Sequence, residues 1–446
     1  MTMDRLVTLF NRKFLCTALV CTVCPLQAQS LSDRVTGYYA ETSVFSEATH
    51  TRTDTANGKE SEDEVSIGVA GALGAELQSG SNFLSAFYSG TVETSQDENN
   101  ESDDSSSFNG VSNYFYRNPA SRLDFNAGHT VRSVRNNTGF VIDPTKYDTQ
   151  NAVSAGAGLQ FYPGDVSTLR LSSQAARTFE GGDREDSESL TTAAELTRRL
   201  SNQSSGSLIG RRTWSDEQND EITLDTVQLG YLRELESGLF AVAAGGSRAE
   251  ADYADGSSNE SDAATGYLAR TWASVETFTE FRYDRELTST ALDLAVDFPE
   301  VDDFAQESVR INELSIEDTL ELRHITTQIC DVCDAGALIS GTIRESQRTL
   351  QTTHEYRGIL DFGIRLTSLL RLGFGYSWTA EASEEADVLL DQVHRFDISV
   401  RRLLDERTFV TVQGRYSLTE SRRDIPDEDQ FAVRLSLTRG FGITNR

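Results

Sequence analysis

Residues 368–382, SLLRLGFGYSWTAEA, alternate without a break. Leu370, Leu372, Phe374, Tyr376 and Trp378 form one row, and Arg371, Gly373, Gly375, Ser377 and Thr379 form the other. Successive side chains of a β-strand point to opposite faces, so this pattern predicts a strand with one aromatic face and one small, polar, cationic face. The same pattern recurs in Val65, Ile67, Val69, Gly71, Leu73, Ala75 and Leu77, and in Tyr356, Gly358, Leu360, Phe362, Ile364 and Leu366. It returns in Val410, Val412, Gly414, Tyr416 and Leu418, and in Phe431, Val433, Leu435, Leu437 and Phe441. Counting such segments predicts about 20 strands, within a range of roughly 18 to 22, from about residue 34 to about residue 441. Alternation is poor in the ninth to twelfth of them, between about residues 206 and 273.

The connectors are of two kinds that take turns. Short ones are QSGSN (78–82), RNPAS (117–121), YPGDVS (162–167), SNQSSG (201–206), ESG (236–238), CDVCDAG (330–336) and LDER (404–407). Long, mostly acidic ones include THTRTDTANGKESED (49–63), QDENNESDDSSS (96–107), EGGDREDSES (180–189), ADGSSNESD (254–262) and ESRRDIPDED (420–429). Such alternation marks an up-and-down meander with one trimmed end and one elaborated end. No segment has the period of a long amphipathic helix, and only six prolines interrupt the chain.

A soluble sandwich would also alternate. Its strands typically run about 5 to 6 residues, however, whereas segments of about 10 suit a tilted membrane crossing. Aromatics gather at row ends: Tyr114, Phe115 and Tyr116 beside one short turn, Phe161 and Tyr162 beside another, and Tyr376 and Trp378 near an acidic stretch. Interfacial girdles place them there. The expected fold is therefore all-β: a transmembrane up-and-down antiparallel β-barrel with short periplasmic turns and long acidic extracellular loops. Only closure satisfies every backbone group in lipid.

Composition looks soluble at first, with 38% hydrophobic residues and a mean hydropathy of -0.41. A barrel strand is only half apolar, so such averages hide it. Residues 1–28 read as a secretory signal peptide, with Arg5, Arg12 and Lys13 before an apolar stretch from Phe14 to Cys24 and Leu26-Gln27-Ala28 before the cut. Residues 29–446 then form a single barrel domain in the cell outer membrane. Val20 argues against a lipoprotein start at Cys21. Export leaves Cys330 and Cys333, expected as a disulfide pinning a tight turn. A redox C-x-x-C belongs at a helix start in a βαβ setting, and a zinc site with His324 lacks a fourth ligand.

The net charge is -30, which excludes nucleic acid as a bulk electrostatic partner. Of the 40 basic residues only Lys13, Lys59 and Lys146 are lysine. The row opposite the apolar one holds Arg282, Arg323, Arg344, Arg357, Arg365, Arg371, Arg395, Arg401, Arg415 and Arg434, with Glu280, Glu317, Glu321, Asp361 and Asp397 among them. These arginines are expected to line a pore. Arginine is always charged and presents a planar fork to carboxylates and phosphates. The wall could guide anionic solutes, or its arginines could pair across strands with the acids and simply hydrate it. The longest connector, 288–310, mixes Leu292, Leu294, Val296, Phe298 and Phe304 with six acids and is expected to fold into the lumen.

The five histidines fall in no Ser/His/acid pattern, and G-x-S-x-G and H-E-x-x-H do not occur. No enzyme activity, cofactor or metal is expected. His129 and His324 sit on the apolar row.

The leader, the turn-and-loop grammar and segments such as HRFDISVRRLLDERTFVTVQGRYSLTES, beginning at His394, resemble a group of bacterial outer-membrane β-barrel porins. Members of that group are often encoded near exopolysaccharide or exosortase genes, so the resemblance implies a porin fold and a polysaccharide role. Expected partners are outer-membrane lipid and lipopolysaccharide, the barrel assembly machinery, and anionic sugars or polysaccharide. The expected function is a porin-like channel for polar, anionic solutes or exopolysaccharide. The alternative is a structural or adhesive surface barrel with a plugged lumen and functional acidic loops.

Overall fold

A computed structural model describes residues 37–55, 58–97, 102–118, 120–135, 147–180, 187–217, 220–288, 314–383, 388–421 and 427–444. The leader and most of the 288–310 connector lie outside the described residues. The first ten strands are β1 (Gly37–Thr55), β2 (Gly58–Ser79), β3 (Asn82–Asp97), β4 (Ser102–Arg117), β5 (Leu123–Arg135), β6 (Tyr147–Gly164), β7 (Ser167–Glu180), β8 (Ser187–Arg199), β9 (Ser204–Glu217) and β10 (Asp220–Leu235). The second ten are β11 (Gly238–Asp252), β12 (Ser258–Ala273), β13 (Thr277–Thr288), β14 (Ser315–Thr326), β15 (Cys333–Ser346), β16 (Thr352–Arg365), β17 (Leu370–Ser383), β18 (Val388–Leu403), β19 (Thr408–Ser421) and β20 (Asp427–Thr444).

Each strand pairs antiparallel with its sequence neighbours, and β1 pairs with β20 from Gly37↔Thr444 to Asp54↔Asp427. The sheet is thus a closed 20-stranded barrel. Closure leaves no unpaired edge, the condition a sheet must meet in lipid.

The strands run further than the sequence pattern suggested. Much of the acidic connector 49–63 is a hairpin, laddered from Thr49↔Glu64 out to Thr55↔Gly58. Thr49, Thr51, Thr53 and Thr55 alternate with polar partners, and β-branched residues favour the extended chain whether or not either face is apolar. Hydrophobic alternation marks only the part of a strand that meets lipid.

The weak alternation of β9 to β12 has a packing cause. On β10 to β12 parts of the inward row are also apolar: Leu232, Ala241 and Ala269 form one buried cluster and Ile222, Ala251 and Tyr253 another, with the hydrogen-bonded Thr226, Gln228, Ser247 and Thr265 between them. Around Ala249 this wall is covered by the next hairpin. The β12–β13 ladder stops at Gly266↔Arg285, whereas β13 and β14 stay paired up to Thr288↔Ser315. Above that stop the hairpin leans into the barrel. Leu287 and Leu314, 2% and 0% exposed, pack against Ala249, with Leu224, Ala263 and Ile316 around them. Arg285 donates from Nε to the carbonyl of Ala264 at 3.2 Å, satisfying backbone where β12 loses its neighbour.

A strap holds the lean in place. Asn259 donates to the carbonyl of Gln347 at 2.6 Å, Ser261 donates to the Gln347 side chain at 2.9 Å, and the Gln347 amide donates to the carbonyl of Leu314 at 2.8 Å. Arg348 lies 2.5 Å from the Asp255 carboxylate and 4.4 Å from the centre of the Tyr253 ring.

Candidate channel lumen

Strand register decides which residues share a face. The ladder rows Ala337↔Leu360↔Tyr376↔Phe396↔Tyr416↔Phe431 and Ala335↔Phe362↔Phe374↔Ile398↔Gly414↔Val433 are apolar from strand to strand. All of these except Val433 line one shallow furrow of about 930 Å³ on the outer wall. Ile67 and Leu435, on the same outward face of β2 and β20, are 68% and 53% exposed. Large apolar side chains left open around a closed sheet need a non-aqueous surrounding. This is an outer-membrane barrel. The outward belt is bounded unevenly: apolar positions run from Val65 to Leu77 on β2, whereas on β10 Asp225 and Arg233, and on β12 Asp262 and Arg270, bracket a much shorter stretch.

The alternate positions face inward, and the ten arginines read from the sequence occupy them on β13 to β20. Most stand beside acids. Arg344 donates to Glu317 at 2.6 Å and to Glu355 at 3.3 Å, and Arg371 to Asp334 at 2.6 Å. Arg415 meets Asp397 at 3.2 Å, and Arg282 meets Asp284. Arg434 contacts Glu47 at 2.6 Å and Glu93 at 3.9 Å, with its guanidinium 4.1 Å from the centre of the Phe45 ring. Arg401 covers the Phe409 ring at 3.4 Å. Arg323 sits opposite Glu280, Arg357 between Ser340 and Thr379, and Arg395 between Ser377 and Ser417.

One cross-strand row is arginine throughout, although Arg371 within it also donates to Asp334. Arg365, Arg371 and Arg401 are direct cross-strand neighbours on β16, β17 and β18, close to the short-turn end. Like charges directly opposite are destabilising, so such a row stands out against the alternating wall above it.

The sequence reading left out Glu47, Glu93, Asp334, Glu355 and the pair Arg170–Asp124, 2.8 Å apart on the inward side of β7 and β5. The signal was there: each sits on the parity opposite to the apolar row. Cys330 and Cys333 are joined by a disulfide across the β14–β15 turn, with Cα atoms 5.0 Å apart. His129 and His324, on the outer face, bond Tyr88 and Thr279 respectively, each at 2.8 Å.

No family model matches the chain, and no curated protein is similar to it in sequence. Solved structures do resemble it in shape. The FrpB iron transporter from Neisseria meningitidis (F3-3 variant) is 11% identical over 93% of this chain and 83% of its own, with a TM-score of 0.47. Pseudomonas aeruginosa OpdQ is 13% identical over 90% and 99%, with a TM-score of 0.36. The ferric-catecholate import receptor Fiu from E. coli K12 is 10% identical over 90% and 81%, with a TM-score of 0.44.

Proposed function

We propose that the protein is a porin-like channel of the outer membrane, passing polar solutes through its charged lumen with a preference for anions. The observation that carries this reading is the division of faces. An apolar row meets lipid, and behind it an inward row of arginine, carboxylate, glycine and serine runs over β13 to β20 and on to β3. Barrels of 16 to 18 strands already leave an aqueous interior, and about 20 leave more. Paired arginine and carboxylate hydrate the wall without giving it a strong sign. Anion preference is assigned to the like-charged row of Arg365, Arg371 and Arg401, where three neighbouring guanidinium groups outnumber the one carboxylate, Asp334, that Arg371 bonds. Polysaccharide is the finer substrate in this reading, with lipopolysaccharide around the barrel and the barrel assembly machinery as its folding partner. The role is that of a conduit and not of an enzyme.

Purified protein in planar bilayers tests the reading. Open steps with a reversal potential favouring anions are expected, and the triple substitution of Arg365, Arg371 and Arg401 by Ser lowers the anion-to-cation ratio by about two- to threefold. A folded barrel that stays silent favours the second reading, a plugged surface barrel. The feature that favours plugging is the inward lean of β13 and β14.

A further inference from the structure

Most of the inward row is charged or small, but β1 to β4 break that rule with aromatics. Tyr39 and Phe87 lie in one ladder row with Gly74 between them, their ring centres 6.2 Å apart. Phe83 and Phe115 face each other two inward positions nearer the short-turn end, 6.3 Å apart. Higher on β1, Phe45 occupies the same parity. The rings of Tyr39 and Phe45 lie flat on the wall: a Cβ added to Gly74 would stand 2.0 Å from the first, and one added to Gly68 2.3 Å from the second. Only glycine lets a ring settle onto backbone in this way.

The two ends of this series differ. Phe45 is buried, its free face capped by Arg434. Tyr39, Phe83, Phe87 and Phe115 are half-exposed, and by their parity they open onto the lumen. Lipid does not reach them, and water is a poor neighbour for four large rings. Their accessible flanks are polar: Glu76 lies beside the buried Ser85 on the ladder, and Asn126 lies opposite Phe115. Phe83 and Phe87 stand about 13 Å apart along β3.

We propose that this aromatic strip is a binding track for saccharide rings. A pyranose ring carries an apolar C–H face and a rim of hydroxyls. The face stacks on Phe87, Tyr39 or Phe83, and the rim bonds the half-exposed Glu76 and Asn126. The charge preference of the channel is set elsewhere, at the arginine row on β16 to β18, so the track needs no charge on its sugar. This assignment of substrate class rests on the conduit reading above, but it is tested separately from it.

The probe is maltohexaose, a neutral linear oligosaccharide. Binding to the detergent-purified barrel is followed by calorimetry, and block of single-channel current is followed in bilayers. Saturable binding is expected, with Tyr39→Ala combined with Phe87→Ala weakening it about tenfold, as loss of apolar contact on two rings implies. Phe374→Ala combined with Phe396→Ala, on the outer face, leaves binding unchanged and controls for general damage. Binding by a barrel that does not conduct keeps the track and overturns the conduit. Conduction without saturable binding, or binding indifferent to the Tyr39 and Phe87 pair, overturns the track.

Discussion

The inner wall of β10 to β12 and the inner wall of β16 to β20 are built from the same alternating strands and reach opposite solutions. The first is apolar and dry where the hairpin leans on it, with Ala249 and Leu314 at 0% exposure in that contact. The second is wet, with arginine and carboxylate paired across strands and glycine between them. A barrel interior is therefore not uniform. Where another segment of the chain covers it, the inward row follows the rules of a protein core; where water covers it, the row follows the rules of a hydrated surface.

Matched substitutions sharpen this contrast. Leu314→Asp puts an unpaired charge into the dry sector and is expected to lower unfolding stability by about 3–5 kcal/mol, read by urea titration in lipid vesicles. Ser399→Asp, on the inward row of β18 between Gly373 and Gln413, is expected to cost less than about 1 kcal/mol in the same assay. Equal losses would erase the distinction between the sectors. Within the wet sector, Arg434→Ser removes the partner of Glu47 and Glu93 and uncovers Phe45, with an expected cost of about 1–3 kcal/mol.

The smallest effect concerns the strap between the sectors. Hydrogen bonds from the hydroxyl and amide of Ser257 hold the Asp255 carboxyl below the usual carboxylate range, and Arg348 adds to this. A depressed value means that the ionised form is favoured by folding. The contact is thus fully present above the ordinary carboxylate value and is lost only as pH falls through the depressed one. Spin labels at Ser258 and Thr349 are expected to keep one narrow distance distribution down through the ordinary carboxylate range and to broaden below it. Arg348→Ala broadens the distribution already at neutral pH. A distribution that widens in the wild type while pH is still above that range would show that something other than Asp255 sets the strap.

The twenty strands were legible in the sequence because lipid on one side and water on the other enforce a period of two over long runs. The arginine wall was legible for the same reason, since Arg357, Arg365 and Arg371 fall on the parity opposite Leu360 and Phe374. Glu317 and Asp397, the partners of Arg344 and Arg415, were legible too, but other acidic partners were harder to find. Asp334 meets Arg371, and Glu47 meets Arg434, through registers that join distant parts of the chain, and no local spacing announces these. The lean of β13 and β14 was hidden more deeply. Leu287 and Ile316 sit on the outward parity, so the pattern assigns them to lipid, yet the hairpin has turned that face toward the inner wall of its neighbours. Periodicity reports which residues share a face of a strand and says nothing of a strand that leaves its row.

The uneven apolar belt bears on how the molecule sits. From Val65 to Leu77 the outward apolar run spans about 40 Å of strand, whereas the charges on β10 and β12 bracket only about 26 Å. With strands tilted by about 40°, these become heights of about 30 Å and about 20 Å on opposite sides of one cylinder. A bilayer of even thickness cannot match both. The barrel axis inclines, or the lipid thins beside β10 to β12, and either way one flank of the protein is a place where the membrane is held out of its resting shape.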